Sequence, residues 1–290
     1  MMGQEVPDFD RLWDFNQPAE TEKRFRALLP QAQNSGDRVY HAELLTQIAR
    51  TLGLQQKFEE AHHLLDSVET MLTEDMKRPR IRYLLEWGRV LNSSGAPDRA
   101  RPLFIEAWEQ ARQVGEDSYA VDAAHMVAIV AQGQEALSWN RAALQLAETS
   151  SQERARSWLG SLYNNMGWTY HDMGQYDQAL EIFDRALKFR EQEGKPDRIR
   201  IAKWCIARTL RSLGRVEEAL EMQQALLKEA EASNEEPGYT YEELGECLLL
   251  LKRESEAKPF FARAYAVLSQ DPWLARNEPG RLQRLQELSS

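Results

Sequence analysis

Cysteine is nearly absent from this chain of 290 residues: there are two, Cys205 and Cys247. That scarcity argues against a disulfide scaffold and for a reducing compartment. No apolar run approaches the roughly 20 residues that a membrane helix needs. The start, MMGQEVPDFD, is polar and acidic, unlike a signal or transit peptide, so a cytoplasmic protein is expected. Positive charge is also in deficit. A formal net charge of −10 speaks against general affinity for nucleic acid or an anionic membrane surface. No Gly/Ser linker or low-complexity stretch divides the chain. There is no phosphate-binding glycine loop, no G-x-S-x-G and no H-E-x-x-H. Glu59 and His63 stand at i and i+4, but a divalent metal needs further ligands and none is near in sequence, so they read as solvated helix surface. His41 and His62 have no nucleophile or carboxylate partner in the pattern. No enzymatic activity, cofactor or metal is expected.

What is present is a unit recurring about every 40 residues, clearest from Asn164 to Leu187 (NNMGWTYHDMGQYDQALEIFDRAL). Met166, Gly167 and Tyr170 share one face of a first helix. Ala179, Phe183 and Ala186, at i, i+4 and i+7, share one face of a second. Gly174 lies between them, where a helix end wants a residue tolerant of the left-handed conformation. The second-helix alanine anchors the other copies: Ala61, Ala100, Ala136, Ala179, Ala219 and Ala257, at spacings of 39, 36, 43, 40 and 38 residues. The small first-helix position reads Ala49, Gly88, Val127, Gly167, Ala207 and Gly245. The large position four residues after the anchor reads Leu65, Phe104, Asn140, Phe183, Gln223 and Phe261. The third copy departs most. Its turn, AIVAQGQEAL, is three residues short, Val127 replaces the small residue and Asn140 the large one, so this stretch is expected to have a tightened turn and the weakest local packing.

The order small, small, aromatic, then Ala, Phe, Ala resembles the tetratricopeptide repeat (TPR) from about Pro18 to Gln270. The period, the run Asn164–Tyr170 and the equivalent Pro102 and Pro259 near second-helix starts resemble the longer units of kinesin-light-chain-type proteins. The resemblance implies an all-α fold: a right-handed superhelical solenoid of stacked antiparallel helix pairs, about six units and fourteen helices. A single domain over residues 1–290 is expected, with an N-terminal cap at 8–33, repeats over about 39–270 and a C-terminal capping helix near 278–288. Pro18–Ala32 reads as a lone second helix and FDRLWDF before it as a degenerate first helix. Leu282, Leu285 and Leu288 mark the closing amphipathic helix.

In such proteins the first helices line a groove that takes an extended peptide or a partner helix. The positions flanking the Gly/Tyr stripe are therefore expected to be exposed. They are Glu43, Thr46, Gln47 and Arg50; Arg82, Leu85, Glu86, Arg89 and Asn92; Val121, Ala124, His125 and Ala128; Ser161, Asn164, Asn165, Trp168 and His171; Ile201, Trp204, Cys205, Arg208 and Arg211; Tyr239, Glu242, Glu243 and Glu246. Arg50, Arg89 and Arg208 share one repeat position, and Arg82 and Arg211 join them, which suggests a cationic inner surface unless Glu43, Glu86 or Glu246 pairs with them. Asn164 and Asn165 fall where the resemblance implies an amide that fixes a bound peptide's backbone, since an amide can donate and accept at once. Trp168, Trp204 and Tyr239 add flat apolar area. The candidate binding residues are thus Arg50, Arg89, Asn164, Asn165, Trp168, His171, Trp204, Arg208 and Arg211. Their partner is expected to be an acidic, or mixed acidic and apolar, protein or peptide, and the role that of a scaffold or adaptor. The alternative is a self-associating assembly module. Thr46, Leu85, Ala124, Asn164, Trp204 and Glu242 stand where chaperone-binding relatives would place a clamp lysine, so that subclass is not indicated.

Overall fold

The computed structural model describes residues 7–290; Met1–Val6, part of the polar start considered above, lie outside it. Among the described residues there are sixteen α-helices, one 3-10 turn (Phe9–Leu12) and no strand. Two compact units divide the chain, the first ending at Leu162 and the second running from Tyr163 to Ser290. The first holds α1 (Pro18–Asn34), α2 (Arg38–Leu54), α3 (Phe58–Met71), α4 (Lys77–Ser93), α5 (Pro97–Val114), α6 (Asp117–Val130), α7 (Gly133–Thr149) and α8 (Glu153–Arg156). The helix α9 (Leu159–Asp172) crosses the division. The second unit continues with α10 (Tyr176–Glu193), α11 (Pro196–Ser212), α12 (Val216–Ala232), α13 (Gly238–Leu250), α14 (Glu254–Leu268), α15 (Pro272–Asn277) and α16 (Pro279–Leu288). The fourteen long helices are those the pattern implied. The short α8 and α15 belong to no repeat position and were not foreseen.

Consecutive helices pack in pairs: α2 on α3, α4 on α5 and α6 on α7, then α11 on α12 and α13 on α14. The anchor alanines explain the pairing. Ala61, Ala100, Ala136, Ala179, Ala219 and Ala257 are all buried, as are the residues four positions on. Where the first helix carries glycine, the facing aromatic ring occupies the room that a side chain would need. A Cβ at Gly88 would stand 2.4 Å from Phe104, at Gly167 2.5 Å from Phe183, and at Gly245 2.7 Å from Phe261. Those three rings are themselves fully buried.

The connections repeat as closely as the cores. Three residues join α2 to α3, α4 to α5, α9 to α10, α11 to α12 and α13 to α14, and the middle one is left-handed each time. Gly95, Gly174 and Gly214 fill that place at φ near +80°, while Gln56 and Lys252 adopt φ +61° and +60° without glycine's freedom. The next residue donates its N–H five residues back, as in Gln175 to the Tyr170 carbonyl at 2.9 Å, which closes the helix end. The third copy differs as expected. Only Ala131 and Gln132 separate α6 from α7, and Gly133 takes the positive φ. Its packing is dense nonetheless: Ala120, Val121, Ala123, Ala124 and Val127 are buried, and Trp139 meets Trp108 edge to face.

The ends need one correction. Pro18 opens α1, Phe25 is buried, and α16 buries Leu282 and Leu285 against α14, all as the pattern implied. FDRLWDF, however, forms no first helix. Asp8 caps a single 3-10 turn by accepting from the Asp10 N–H, and Trp13 returns to extended backbone. The reason lies in its aromatics and Asp10, which find partners on several other helices rather than along one helix face.

Asn140 and Gln223 stand in the large core position and are buried. The Gln223 side chain has neither donor nor acceptor matched by a hydrogen-bond partner in the protein. Leaving such an amide unmatched costs about 1–3 kcal/mol. Gln223→Met, of similar length, should therefore raise the urea-unfolding midpoint by the equivalent of about 1 kcal/mol. Gly167→Ala should do the opposite, lowering stability by about 1–2 kcal/mol because the Phe183 contact outweighs alanine's better helix propensity. Gly280→Ala, with open space around its Cβ, should be neutral or stabilising in the same assay.

Candidate binding surfaces on the first helices

All nine residues singled out from the sequence are half-buried, neither sealed in the core nor free in solvent. Many of their neighbours are not exposed as expected. Glu43, Thr46, Gln47, Arg82, Leu85, Glu86, Val121, Ala124, Ala128, Cys205, Glu242 and Glu243 are buried. Adjacent first helices touch, α2 against α4, α4 against α6 and α11 against α13, and these side chains fill the seams between them. Read one repeat at a time, a position facing the next first helix cannot be told from one facing solvent.

In the first unit, Arg50 on α2 and Arg89 on α4 converge on Glu86, at 3.1 and 2.8 Å, and Arg89 also pairs with Asp122 on α6. Burial works against charge on Asp122, but Arg89 and Arg50 outweigh it and hold its carboxyl below the ordinary 3.8. Glu86 is 2% exposed, and its Oε2 has no hydrogen-bond partner. A cleft of about 230 Å³ opens beside this network, lined by Arg50, Leu54, Glu86, Arg89 and Asn92. Arg50 is also covered by Trp13 and Phe15, whose rings stack 4.6 Å apart with the guanidinium 5.7 and 5.3 Å from their centroids.

The second unit brings together the remaining seven. Trp168 on α9, Trp204 on α11 and Tyr239 on α13 form a row, with centroids 6.0 and 6.1 Å apart. The Trp204 indole N–H is buried without a partner. The Cys205 thiol donates to Asn164 Oδ1 at 3.5 Å, and Thr169 donates to the Asn165 carbonyl. One helical turn further, His171 Nε2 lies 3.0 Å from Ser212 Oγ, which also receives Arg208 Nη1 at 2.5 Å. Arg208 and Arg211 share Glu243, at 3.1 and 2.7 Å. The conserved spacing of the arginines thus meets an equally regular set of acids at separations near one repeat. Within each unit these positions are charge-matched rather than a bare cationic strip. Arg208 and Arg211 against one carboxylate still leave a local positive excess.

Both cysteines are free and buried, and burial pushes each thiol up to about 12, so neither is a nucleophile at neutral pH. Among the described residues, no three His, Cys, Asp or Glu side chains are grouped to hold a metal, and no helix is long and apolar enough to cross a membrane.

A pH dependence follows from the histidines. Burial, reinforced by Arg208, holds His171 below its ordinary 6.5. Burial also lowers His125 in the first unit, where Arg89 adds to it and the Asp122 charge opposes it. The unfolded chain therefore binds more protons than the folded one below about pH 6.5, and stability falls as acid is added. Unfolding midpoints should drop from pH 7 to pH 5. His171→Gln, which keeps a polar group facing Ser212, should flatten that slope, as followed by urea titration at each pH.

Residues 123–192 match the tetratricopeptide repeat family model. No curated protein sequence matches the chain. Among solved structures, the chain is similar to a signal-transduction ATPase with a tetratricopeptide repeat sensor from Pyrococcus horikoshii, at 15% identity and TM-score 0.71. That match covers 97% of this chain and 44% of the archaeal one, so the chain spans less than half of that protein. A structure of nearly identical tetratricopeptide-like repeats ascribed to a kinesin light chain of Podospora anserina matches at 17% identity and TM-score 0.55, over 66% of this chain and 95% of its own. The quorum sensor NprR, solved in complex with its cognate peptide NprX, matches at 14% identity and TM-score 0.58, over 96% of this chain and 81% of its own.

Proposed function

We propose that this chain, whose residues 123–192 match the tetratricopeptide repeat model, is a non-catalytic interaction scaffold and that the first-helix face of its second unit binds a peptide or helix of a partner protein. One observation carries the reading: amides, aromatics and arginines meet on neighbouring helices there. Asn164 and Asn165 lie on α9 beside the Trp168–Trp204–Tyr239 row, and Arg208 and Arg211 share a single carboxylate. Amides can hold a ligand backbone, the rings supply apolar area at little entropic cost, and the charge excess favours a carboxylate. The peptide complex of the similarly folded NprR supports this use of the fold. Arg50 and Arg89 would serve the same role in the first unit, where Trp13 and Phe15 now lie over Arg50.

Peptide display against the immobilised full chain tests the proposal. Enriched peptides should place an acidic residue near an apolar or aromatic one. Arg208→Glu or Trp168→Ala should weaken them at least about tenfold, the size of one lost hot-spot contact, and added salt should weaken them further. Failure to enrich any sequence, or affinity in both variants unchanged from that of the unaltered chain, would refute it. Light scattering addresses the self-association alternative: a mass that rises with concentration and is restored to monomer by Arg208→Glu would favour it instead.

A further inference from the structure

The segment from Pro7 to Phe15 lies across the first helices of the first unit as a ligand would. The Tyr40 hydroxyl on α2 donates to the Pro7 carbonyl at 3.0 Å. Phe9, 4% exposed, sits edge-on to Phe25 and Tyr40, and the Arg82 guanidinium of α4 lies 5.3 Å from its ring centre. Both oxygens of the Asp10 carboxylate are taken by Arg82, at 3.1 and 2.5 Å, and one also accepts from Arg154 on α8 at 3.0 Å, across 144 residues of sequence. Tyr119 of α6 completes the grip: its hydroxyl accepts from Arg82 Nε at 2.7 Å, and both guanidiniums lie against its ring. Further along, Trp13 donates to Gln47 at 3.1 Å and stacks with Phe15 over Arg50.

A cap requires a polar outer face over an apolar end. This segment does something else, placing Phe9, Asp10 and Trp13 into sites built by five separate helices, α1, α2, α4, α6 and α8. Its charge is needed there. Arg78, Arg82 and Arg154 surround the position, and the other carboxylate among them, Glu43, is held by Arg78 at 2.5 Å and stands 3.9 Å from Arg82. Glu116 and Asp8 line the surrounding cleft of about 310 Å³, Asp8 already paired with Arg11. With Asp10 withdrawn, the buried Arg82 would face Glu43 alone. A carboxylate from another peptide would restore the pairing.

We propose that Pro7–Phe15 is an internal ligand of a carboxylate-reading peptide site formed by Arg82, Tyr119 and Arg154, and that the external ligand is a partner segment pairing an aromatic residue with an adjacent aspartate, which must displace Phe9–Asp10 to bind. Tethering gives the internal copy an effective concentration on the order of millimolar, so it outcompetes free peptide of the same sequence. The site is separate from the second-unit face proposed above and stands or falls independently of it.

The probe is a fluorescein-labelled peptide of the chain's own sequence from Pro7 to Asn16, titrated by anisotropy against the full chain. The unaltered protein should bind it weakly. Asp10→Asn, which keeps the shape but not the charge, should bind it at least about tenfold tighter, within the range that loss of a tethered competitor allows. Adding Arg154→Gln to that variant should abolish the gain, as should Asn in place of the probe's Asp10; Arg208→Glu should change nothing. A protease site introduced at Asn16–Gln17 provides a form with every contact retained: probe binding should appear only after cutting. Equal binding before and after cutting, with no gain in Asp10→Asn, would show that the segment is a structural cap and overturn the proposal. Loss of probe binding in Arg208→Glu would place the peptide on the second-unit face and overturn it as well.

Discussion

The structure depends on a contact in which a first helix gives up its side chain so that a ring from the second can lie on its backbone. Phe104, Phe183 and Phe261 come so close to Gly88, Gly167 and Gly245 that not even a methyl group fits between. That approach sets the distance within a helix pair, and the left-handed residue of each three-residue connection then sets how the second helix leaves the first. Each pair exposes an apolar flank that it cannot cover itself, which is why copies stack. Where glycine is replaced by alanine, as at Ala49 and Ala207, the facing large residue changes too, to Leu65 and Gln223.

Stacking has an electrostatic consequence. Neighbouring first helices bring their polar flanks together, so charges there are half-desolvated and must be matched. The chain meets this with arginine at one repeat position and an acid from the next first helix: Glu86 and Asp122 in the first unit, Glu243 in the second. At the N-terminal side the matching acid for Arg82 comes from outside the repeats, from Asp10. The same rule that makes the seams stable makes that one position dependent on a segment from outside the repeats.

How legible this was differs by kind of residue. The anchor alanines, the rings facing the glycines, Gly174 at positive φ and Pro18 at the start of α1 all followed from spacing, because each depends on contacts within one pair or one turn. Solvent exposure did not follow: Glu43, Glu86 and Glu243 were read as groove lining and are buried in the seams. Nor did the role of FDRLWDF, whose alternation of aromatic and acid was the one available signal. Arg154, on a four-residue helix outside the repeat pattern, gave none.

By itself, then, the sequence determined the helical pairs, their boundaries and their close contacts, since those are set by neighbours within about 40 residues and recur six times over. Only the tertiary structure decided which arginine meets which acid, which half-buried side chains share a face, and that Asp10 reaches across 144 residues to Arg154. Those partners lie on different elements. Their meeting depends on how successive pairs stack and where a non-repeating segment crosses them, and no local period encodes that.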